Sequence, residues 1–121
     1  MPTNVKVIQA KDFVRATHEG HADLDRAEEL LQTIADAGAG LKDFHVLVDT
    51  RRSTGWLGAT ELWSLSQKLA KYQNAFGRKT AILCPLERFD HNRFFALCAE
   101  NRGFNVRAFV SYEEAMEWLI E

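Results

Sequence analysis

The sequence Phe-His-Val-Leu-Val-Asp-Thr-Arg-Arg-Ser-Thr-Gly-Trp-Leu-Gly, at residues 44–58, decides the fold. Its apolar run from Val46 to Val48 is typical of a strand that is covered on both faces of a sheet. We expect this strand to stop at Asp49 and a polar loop, residues 49–58, to lead into a helix. In open α/β sheets, ligand sites form at such strand ends.

Patterns on either side of this stretch predict the other elements. Before it, alternation predicts strands around 5–8 and 13–17, hinged as a hairpin at Lys11-Asp12, and helical spacing predicts a helix from Asp23 that stops at residues 37–40. After it come a helix over 59–75, a strand over 79–84, a helix from 87 or 90 to 102, a strand over 104–110 and a helix opened by a capping box at Ser111 and Glu114.

The predicted order is therefore β-β-α-β-α-β-α-β-α. Strands that alternate with helices are joined by right-handed crossovers and form a mostly parallel sheet. We expect an α/β fold with a mostly parallel five-stranded sheet, an N-terminal hairpin and four helices, all in a single domain over residues 1–121.

Composition excludes several classes of protein. The chain has 121 residues, 46% of them hydrophobic, which suits one packed domain. Its 15 basic and 17 acidic residues are too balanced for broad contact with nucleic acid. The chain lacks both a signal-peptide pattern and an apolar run of about 18 residues, so we expect a cytoplasmic protein with no stable membrane insertion.

The polar loop resembles an anion site. Arg51 and Arg52 supply guanidinium groups, which bind phosphate or carboxylate through two hydrogen bonds each, and the following helix adds backbone N–H groups and a positive dipole end. Asp49, Ser53, Thr54 and Gly55 complete the predicted binding or regulatory loop. The alternative is that the arginines form salt bridges. Ser53 or Thr54 is either a phosphorylation site or, more commonly for these residue types, the N-cap of the next helix.

Other polar groups form weaker patterns. His18 and His21 would suit a metal only in a helix, and we expect a loop there. His91 with Asp90 and Glu87 resembles an acid/base cluster, although acids at a helix start commonly serve the dipole. Cys84 and Cys98 form no CxxC pair and are predicted to be reduced core thiols. We therefore predict no metal, no cofactor and no catalytic residue.

Aromatic side chains are frequent around the predicted helix over 59–75 and in the next predicted helix, which ends at 102. Trp56 lies among glycine and polar residues, so we expect it to be partly exposed, whereas most of the others should lie in the core. If exposed, Trp56, Trp63 and Phe94 would mark a homodimer face or an apolar ligand groove between these helices.

The loop and helix together resemble the STAS fold of anti-sigma-factor antagonists. In that family a serine or threonine in an Asp-Ser-Ser-Gly-Leu-Gly-like loop at a helix N-terminus is the phosphorylated switch. By that resemblance Ser53 and Thr54 take the hydroxyl positions and Gly55 and Gly58 the glycine positions, while Arg52 replaces the acidic residue and the loop is shorter.

The uncharacterised bacterial SpoIIAA-like branch is more similar. Its members share a strand ending in Val-Asp-x-Arg, a strand opening Ala-Ile-Leu, an Asn-Arg-Gly-Phe segment and a closing Glu-Glu-Ala-x-x-Trp-Leu helix. The matching segments here are 48–51, 81–83, 101–109 and 113–119. Related folds include lipid-carrying CRAL-TRIO domains, which imply an apolar ligand.

Three functions follow from these patterns. The first is a non-enzymatic regulatory module that binds a protein partner through the loop at residues 49–58. The second is a carrier of a small apolar or anionic ligand. The third is a hydrolase or transferase that uses Asp49, Ser53 or His91, for which the motif contains no recognisable base.

Overall fold

Strands and helices alternate along the chain in the computed structural model, which describes residues 4–10, 13–41 and 44–121. The strands are β1 (Asn4–Ala10), β2 (Phe13–His21), β3 (His45–Thr54), β4 (Thr80–Leu83) and β5 (Val106–Phe109). The α-helices of these residues are α1 (Leu24–Ala37), α2 (Ala59–Lys68), α3 (Phe89–Glu100) and α4 (Tyr112–Ile120). The predicted α/β class with four helices is thereby confirmed.

The strands form one sheet in the order β1-β2-β3-β4-β5. Its parallel part has four strands, β2 to β5, and β1 pairs with β2 in the antiparallel sense at the edge. The antiparallel pairing agrees with the predicted hairpin, whose hinge at Lys11-Asp12 lies outside the described residues. A parallel sheet needs helices on both faces, and the two cores lie accordingly.

The larger core fills the face of the sheet beneath α1, α2 and α3. It includes Val14, Val46 and Ile82 from the strands, and Ile34 and Leu65 from the helices. The smaller core lies on the opposite face, beneath α4. Its buried residues are Leu47, Ala81, Leu83, Phe109, Ala115, Trp118 and Leu119. Successive residues of one strand, such as Val46, Leu47 and Val48, therefore point into different cores.

β3 does not stop at Asp49 as predicted, but continues to Thr54. β2 likewise runs past Thr17 to His21 and stays paired with β3. After an irregularity in the pairing between Thr17 and Glu19, Gly20 lies opposite Ser53 and His21 lies opposite Thr54. Backbone pairing needs no apolar side chain, so a polar sequence was misread as a loop. The connection to α2 is only residues 55–58.

The predicted N-cap at Ser53 or Thr54 is wrong. The N-cap of α2 is Gly58, whose N–H donates to Glu61 Oε1 at 3.1 Å. The helix ends at Lys68 and continues as a short 3₁₀ helix over Leu69–Tyr72, short of the predicted end at residue 75. Leu69 and Phe76 are nevertheless buried, so the apolar spacing identified core positions correctly. Among the described residues, no helix has the length and apolar character required to cross a bilayer.

Candidate functional site

The connection between β3 and α2 is held in a defined shape. Gly55 adopts a left-handed backbone with φ of 73°, and a Cβ there would lie 2.8 Å from His21 Cε1. The left-handed backbone favours glycine, and any larger residue here would also have to displace the exposed His21 ring. Arg88, in a second 3₁₀ helix over Leu86–Arg88, donates to the carbonyl oxygens of Gly55, at 3.0 Å, and of Ser53. Arg88 thereby fastens the end of β3 to the start of α3.

Arg51 is engaged by a carboxylate. Its Nη2 donates to Asp49 Oδ2 at 2.9 Å and its Nε to Asp49 Oδ1 at 3.1 Å, while Arg15 Nη2 lies 3.6 Å from Asp49 Oδ2. Burial by itself raises the pKa of the Asp49 carboxyl, but hydrogen bonds from Arg51 and the two positive charges outweigh it and hold that pKa below its usual value. This cluster lies on the α4 side of the sheet, where Arg15 also stacks over Tyr112.

Arg52 and Thr54 are exposed at the end of β3. Arg52 Nη1 lies 3.3 Å from Glu19 Oε1, an exposed pair across to β2. Arg51 thus pairs with Asp49 and Arg52 with Glu19, whereas Ser53 bonds to His18. The salt-bridge alternative therefore describes both arginines in this structure, and they do not converge on Ser53.

Ser53 is buried and bonded to a histidine that lies 35 positions earlier in the chain. Its Oγ lies 2.6 Å from His18 Nδ1 and donates to the His18 backbone oxygen at 3.2 Å. His18 is in β2, not in the predicted loop, and is only 4% exposed. Burial lowers the pKa of its imidazole, an effect that Asp23 partly offsets, so the ring is neutral at pH 7.

A cavity of about 150 Å³ lies behind this pair, between the sheet and α1, α2 and α3. Its walls are mostly apolar, and they include Leu31, Ile34, Leu62, Leu65 and Ile82. The exposed residues Trp56 and Arg26 mark the opening at one end of the cavity. The polar side chains that gather toward this end are His18, Thr50, Ser53, Arg88, His91 and Asn92. Ligand sites commonly have this combination of apolar walls and a few polar groups.

Two buried polar atoms of this cavity have no hydrogen-bond partner among the described residues: His18 Nε2 and Thr80 Oγ1. Both side chains are 4% exposed. Burying an unpaired polar atom is costly, and such atoms are rare in folded proteins.

Trp56 stands at the cavity opening and is 63% exposed, which confirms the prediction of partial exposure. It is nevertheless fixed in place, since its ring stacks on His91 with 4.6 Å between centroids and 24° between planes. His91 is therefore the stacking partner of an exposed tryptophan. The predicted grouping of His91 with Asp90 and Glu87 as an acid/base cluster has no hydrogen bond among the described contacts to support it.

Trp63 and Phe94 lie away from the cavity. Trp63, on α2, is 49% exposed with Arg102 over its ring, and Phe94, on α3, is 39% exposed near the half-exposed Leu97. Of the three aromatic residues predicted for a ligand groove, Trp56 alone lines the cavity.

The remaining predicted groups are dispersed. His18 and His21 lie on a strand, three positions apart, with His18 buried and His21 exposed. The described residues contain no cluster of histidine, cysteine and acidic side chains that could hold a metal ion. Cys84 is buried, and burial raises the pKa of its thiol to about 11, while Cys98 is half-buried; both are free thiols.

Sequence reasoning missed His18, Arg88 and Thr80 as residues of the site. They belong to β2, the segment before α3, and β4, and only the folded sheet brings them beside Ser53 and the cavity. One signal was available: His18 continues the alternation of Val14 and Ala16, which marks the buried face of the strand.

Comparison with known proteins supports the fold. Neither the known protein families nor the curated proteins contain a match to the sequence. An uncharacterized protein with a SpoIIAA-like fold from Shewanella loihica superimposes with a TM-score of 0.58 at 19% identity, over 97% of this chain and 93% of that chain. An anti-sigma factor antagonist from Mycobacterium paratuberculosis gives a TM-score of 0.59 at 16% identity, over 99% and 96%.

SpoIIAA itself, an anti-sigma factor antagonist solved in its unphosphorylated form, also superimposes on this chain. The TM-score is 0.56 at 13% identity, over 97% of this chain and 96% of that chain. The chain therefore has a SpoIIAA-like fold, as the sequence motifs indicated. Identities this low establish the fold alone, because one fold supports many functions.

Proposed function

We propose that this protein is a non-enzymatic regulatory module that binds a partner protein through its rim surface, defined here as residues 52–58 together with His91. The observation that carries the proposal is Trp56, a largely exposed tryptophan held in a fixed stack on His91. Exposed aromatic residues that are already rigid make effective anchors for partners, since little side-chain entropy is lost on binding.

Two further features support this surface. Arg88 holds the connection at the Ser53 and Gly55 carbonyls, so the backbone beneath Trp56 is fixed as well. Leu86, two residues before Arg88 in the chain, is a further apolar side chain that is 76% exposed. Two structural neighbours are described as anti-sigma factor antagonists, which is consistent with regulation through protein contacts.

Thr54 is the better candidate than Ser53 for a regulatory phosphorylation at this surface. Its side chain is exposed, and Arg52, two positions earlier, leaves the same side of the strand. A phosphate on Thr54 would replace Glu19 as the partner of Arg52 and would accept charge-assisted hydrogen bonds from its guanidinium group. Ser53 is buried and bonded to His18, so its hydroxyl is inaccessible to a kinase in the folded state.

Affinity capture from source-cell lysate, followed by calorimetry with the purified partner, tests the proposal. Trp56→Ala should weaken binding by about 30-fold, the effect of losing an interface anchor. Ile120→Ala, which removes an exposed apolar side chain outside the rim surface, is the control and should change the dissociation constant by less than about threefold. A partner that binds both variants equally would show that Trp56 is not the anchor.

The same calorimetry tests the regulatory residue. Thr54→Glu should weaken partner binding, because it adds negative charge to the rim surface. Thr60→Glu, an exposed substitution outside that surface, is the control. Equal affinities of these two variants would exclude Thr54 as the switch.

Self-association forms a second part of the proposal. Trp63 on α2 and Phe94 and Leu97 on α3 are exposed apolar side chains on helices that pack together. An exposed apolar patch on a small protein commonly marks an interface. We expect a homodimer through this patch, leaving the rim surface free for a different partner.

A hydrolase is the second candidate function, and it rests on the 2.6 Å separation of Ser53 Oγ and His18 Nδ1. Serine beside histidine can act as a nucleophile with its base, although no carboxylate contacts the free ring nitrogen among the described residues. Hydrolysis of p-nitrophenyl acetate that disappears in Ser53→Ala would favour this candidate. Equal rates for the two proteins would exclude it.

A further inference from the structure

The cavity beneath the rim surface has the composition of a ligand site. It holds about 150 Å³, and most of its lining is aliphatic. Engineered apolar cavities of about this volume bind benzene. Here, however, His18 lines one wall, and its Nε2 is buried and without a partner among the described residues.

A hydrogen bond at Nδ1, the other ring nitrogen, fixes the orientation of the His18 side chain. Nδ1 is within hydrogen-bond distance of Ser53 Oγ, at 2.6 Å, and Ser53 also bonds to the His18 backbone oxygen. With Nδ1 occupied, Nε2 is the nitrogen left for a molecule in the cavity. Because the Ser53 hydroxyl donates to the His18 backbone oxygen, Nδ1 of the neutral ring donates to Ser53 Oγ and Nε2 presents a lone pair. A hydroxyl group can donate to that lone pair.

We propose that this cavity binds a small apolar molecule with a single hydroxyl group, of about the size of phenol, whose hydroxyl bonds to His18 Nε2. The apolar part of the ligand lies against Leu31, Val48 and Leu62. At His18 itself, a buried neutral imidazole offers no charge to compensate a carboxylate, so the group that bonds there is uncharged. The proposal depends on the cavity alone and stands independently of the partner surface.

The second unpaired atom, Thr80 Oγ1, is out of reach of the same molecule. On β4, Thr80 lies opposite Val46 of β3. On β2, His18 follows Thr17, which lies opposite Asp49 of β3. Since β2 and β4 flank β3, two strand spacings separate His18 from Thr80 across the sheet. Their Cα atoms are thus about 13 Å apart along the strands and about 10 Å apart across them. Thr80 lies at the opposite end of the cavity and provides an internal control.

Calorimetric titration with phenol and benzene tests the proposal, because the two probes differ only in the hydroxyl. The wild type should bind both and should prefer phenol by about threefold to tenfold, the effect of one hydrogen bond. His18→Phe should keep benzene binding and lose the preference. Thr80→Val should keep the preference, since it removes the other unpaired atom and leaves His18 in place.

A measurement on the unmodified protein covers the case in which His18→Phe does not fold. The ¹⁵N resonance of His18 Nε2 should move on addition of phenol and stay in place on addition of benzene. Failure to bind either probe would show that the cavity is not a ligand site. Equal affinity for both probes, a preference that survives His18→Phe, or a stationary resonance would overturn the role of His18. None of these results depends on Trp56 or on a protein partner.

Discussion

Ser53 Oγ and His18 Nδ1 lie 2.6 Å apart in the buried interior, joining β3 to β2 through their side chains as well as their backbones. The pair stands at the wall of the cavity, and Ser53 is the buried residue of the rim surface, between the exposed residues Arg52 and Thr54. Ser53 therefore has a structural role that the resemblance to a phosphorylated loop did not suggest. The neighbouring Thr54 is the accessible hydroxyl.

Loss of the Ser53 hydroxyl should destabilise the fold. Ser53→Ala leaves His18 Nδ1 buried without a partner, which should lower the free energy of unfolding by about 1 to 3 kcal/mol. Thr54→Ala changes an exposed side chain at the next position and should stay within about 0.5 kcal/mol of the wild type. Urea denaturation of the three proteins compares them directly. Equal losses in both variants would indicate that the buried bond contributes nothing.

Stability should fall on mild acidification because of His18. Burial lowers its pKa in the folded state below the value of 6.5 expected when it is unfolded, so the unfolded chain takes up the proton first. The contribution is fully present above about pH 6.5 and is lost as the pH falls toward the folded pKa. Urea denaturation between pH 7.5 and 5 should show a smaller slope in His18→Phe, which retains the other histidines. Parallel curves would refute the assignment.

Arg51 and Arg52 should differ in their effect on stability. Arg51 pairs with Asp49, whose side chain is 7% exposed, and its removal leaves a buried carboxylate with only Arg15 nearby. We expect Arg51→Ala to cost about 1 to 2 kcal/mol, a value discounted for the exposure of Arg51 itself. Arg52 is 78% exposed, and Arg52→Ala should cost less than about 0.5 kcal/mol.

The sequence predicts a loop for both arginines, but they lie on β3, and Arg51 pairs with a buried carboxylate. Thermal and urea denaturation of the single variants measure the difference. The two variants would have equal stability if the Asp49 pair were as weak as an ordinary surface salt bridge.

Thr80→Val should stabilise the protein in the absence of a cavity ligand. The Thr80 hydroxyl is buried and has no partner among the described residues, and valine has nearly the same shape without the polar atom. The expected gain is about 1 kcal/mol, at the lower end of the cost of burying an unpaired hydroxyl. Differential scanning calorimetry should show a higher Tm. A lower Tm would mean that the hydroxyl is satisfied, for example by a buried water molecule.

The exposed patch on α2 and α3 predicts the oligomeric state. At tens of micromolar the wild type should sediment as a dimer, and Trp63→Ala should shift it toward monomer because the largest apolar side chain of the patch is lost. Trp56→Ala should remain dimeric, as Trp56 belongs to the rim surface. A wild type that sediments as a monomer would remove the patch from consideration as a dimer interface.

Local patterns in the sequence were sufficient for the α/β class, the element order and most core positions. Val46 to Val48 is an unbroken apolar run, and Leu62, Leu65 and Leu69 recur at helical spacing; both patterns report burial directly. The capping box of α4 was also predicted from the sequence, because it involves only four successive residues. In the structure, Ser111 Oγ accepts from the Glu114 N–H at 3.3 Å.

The tertiary structure decided the end of β3 and the composition of the site. β3 continues to Thr54 because β2 supplies partners for Arg52, Ser53 and Thr54 that lie 33 positions earlier in the chain, which no local pattern reports. Between Asp49 and Arg52, β3 carries one residue more than β2 does between Thr17 and Glu19, and this extra residue interrupts the strand alternation. Arg51 therefore lies with Asp49, whereas Ser53 lies with His18 at the cavity. The pairing of Ser53 with His18 and the cavity behind it arise from packing between segments far apart in sequence.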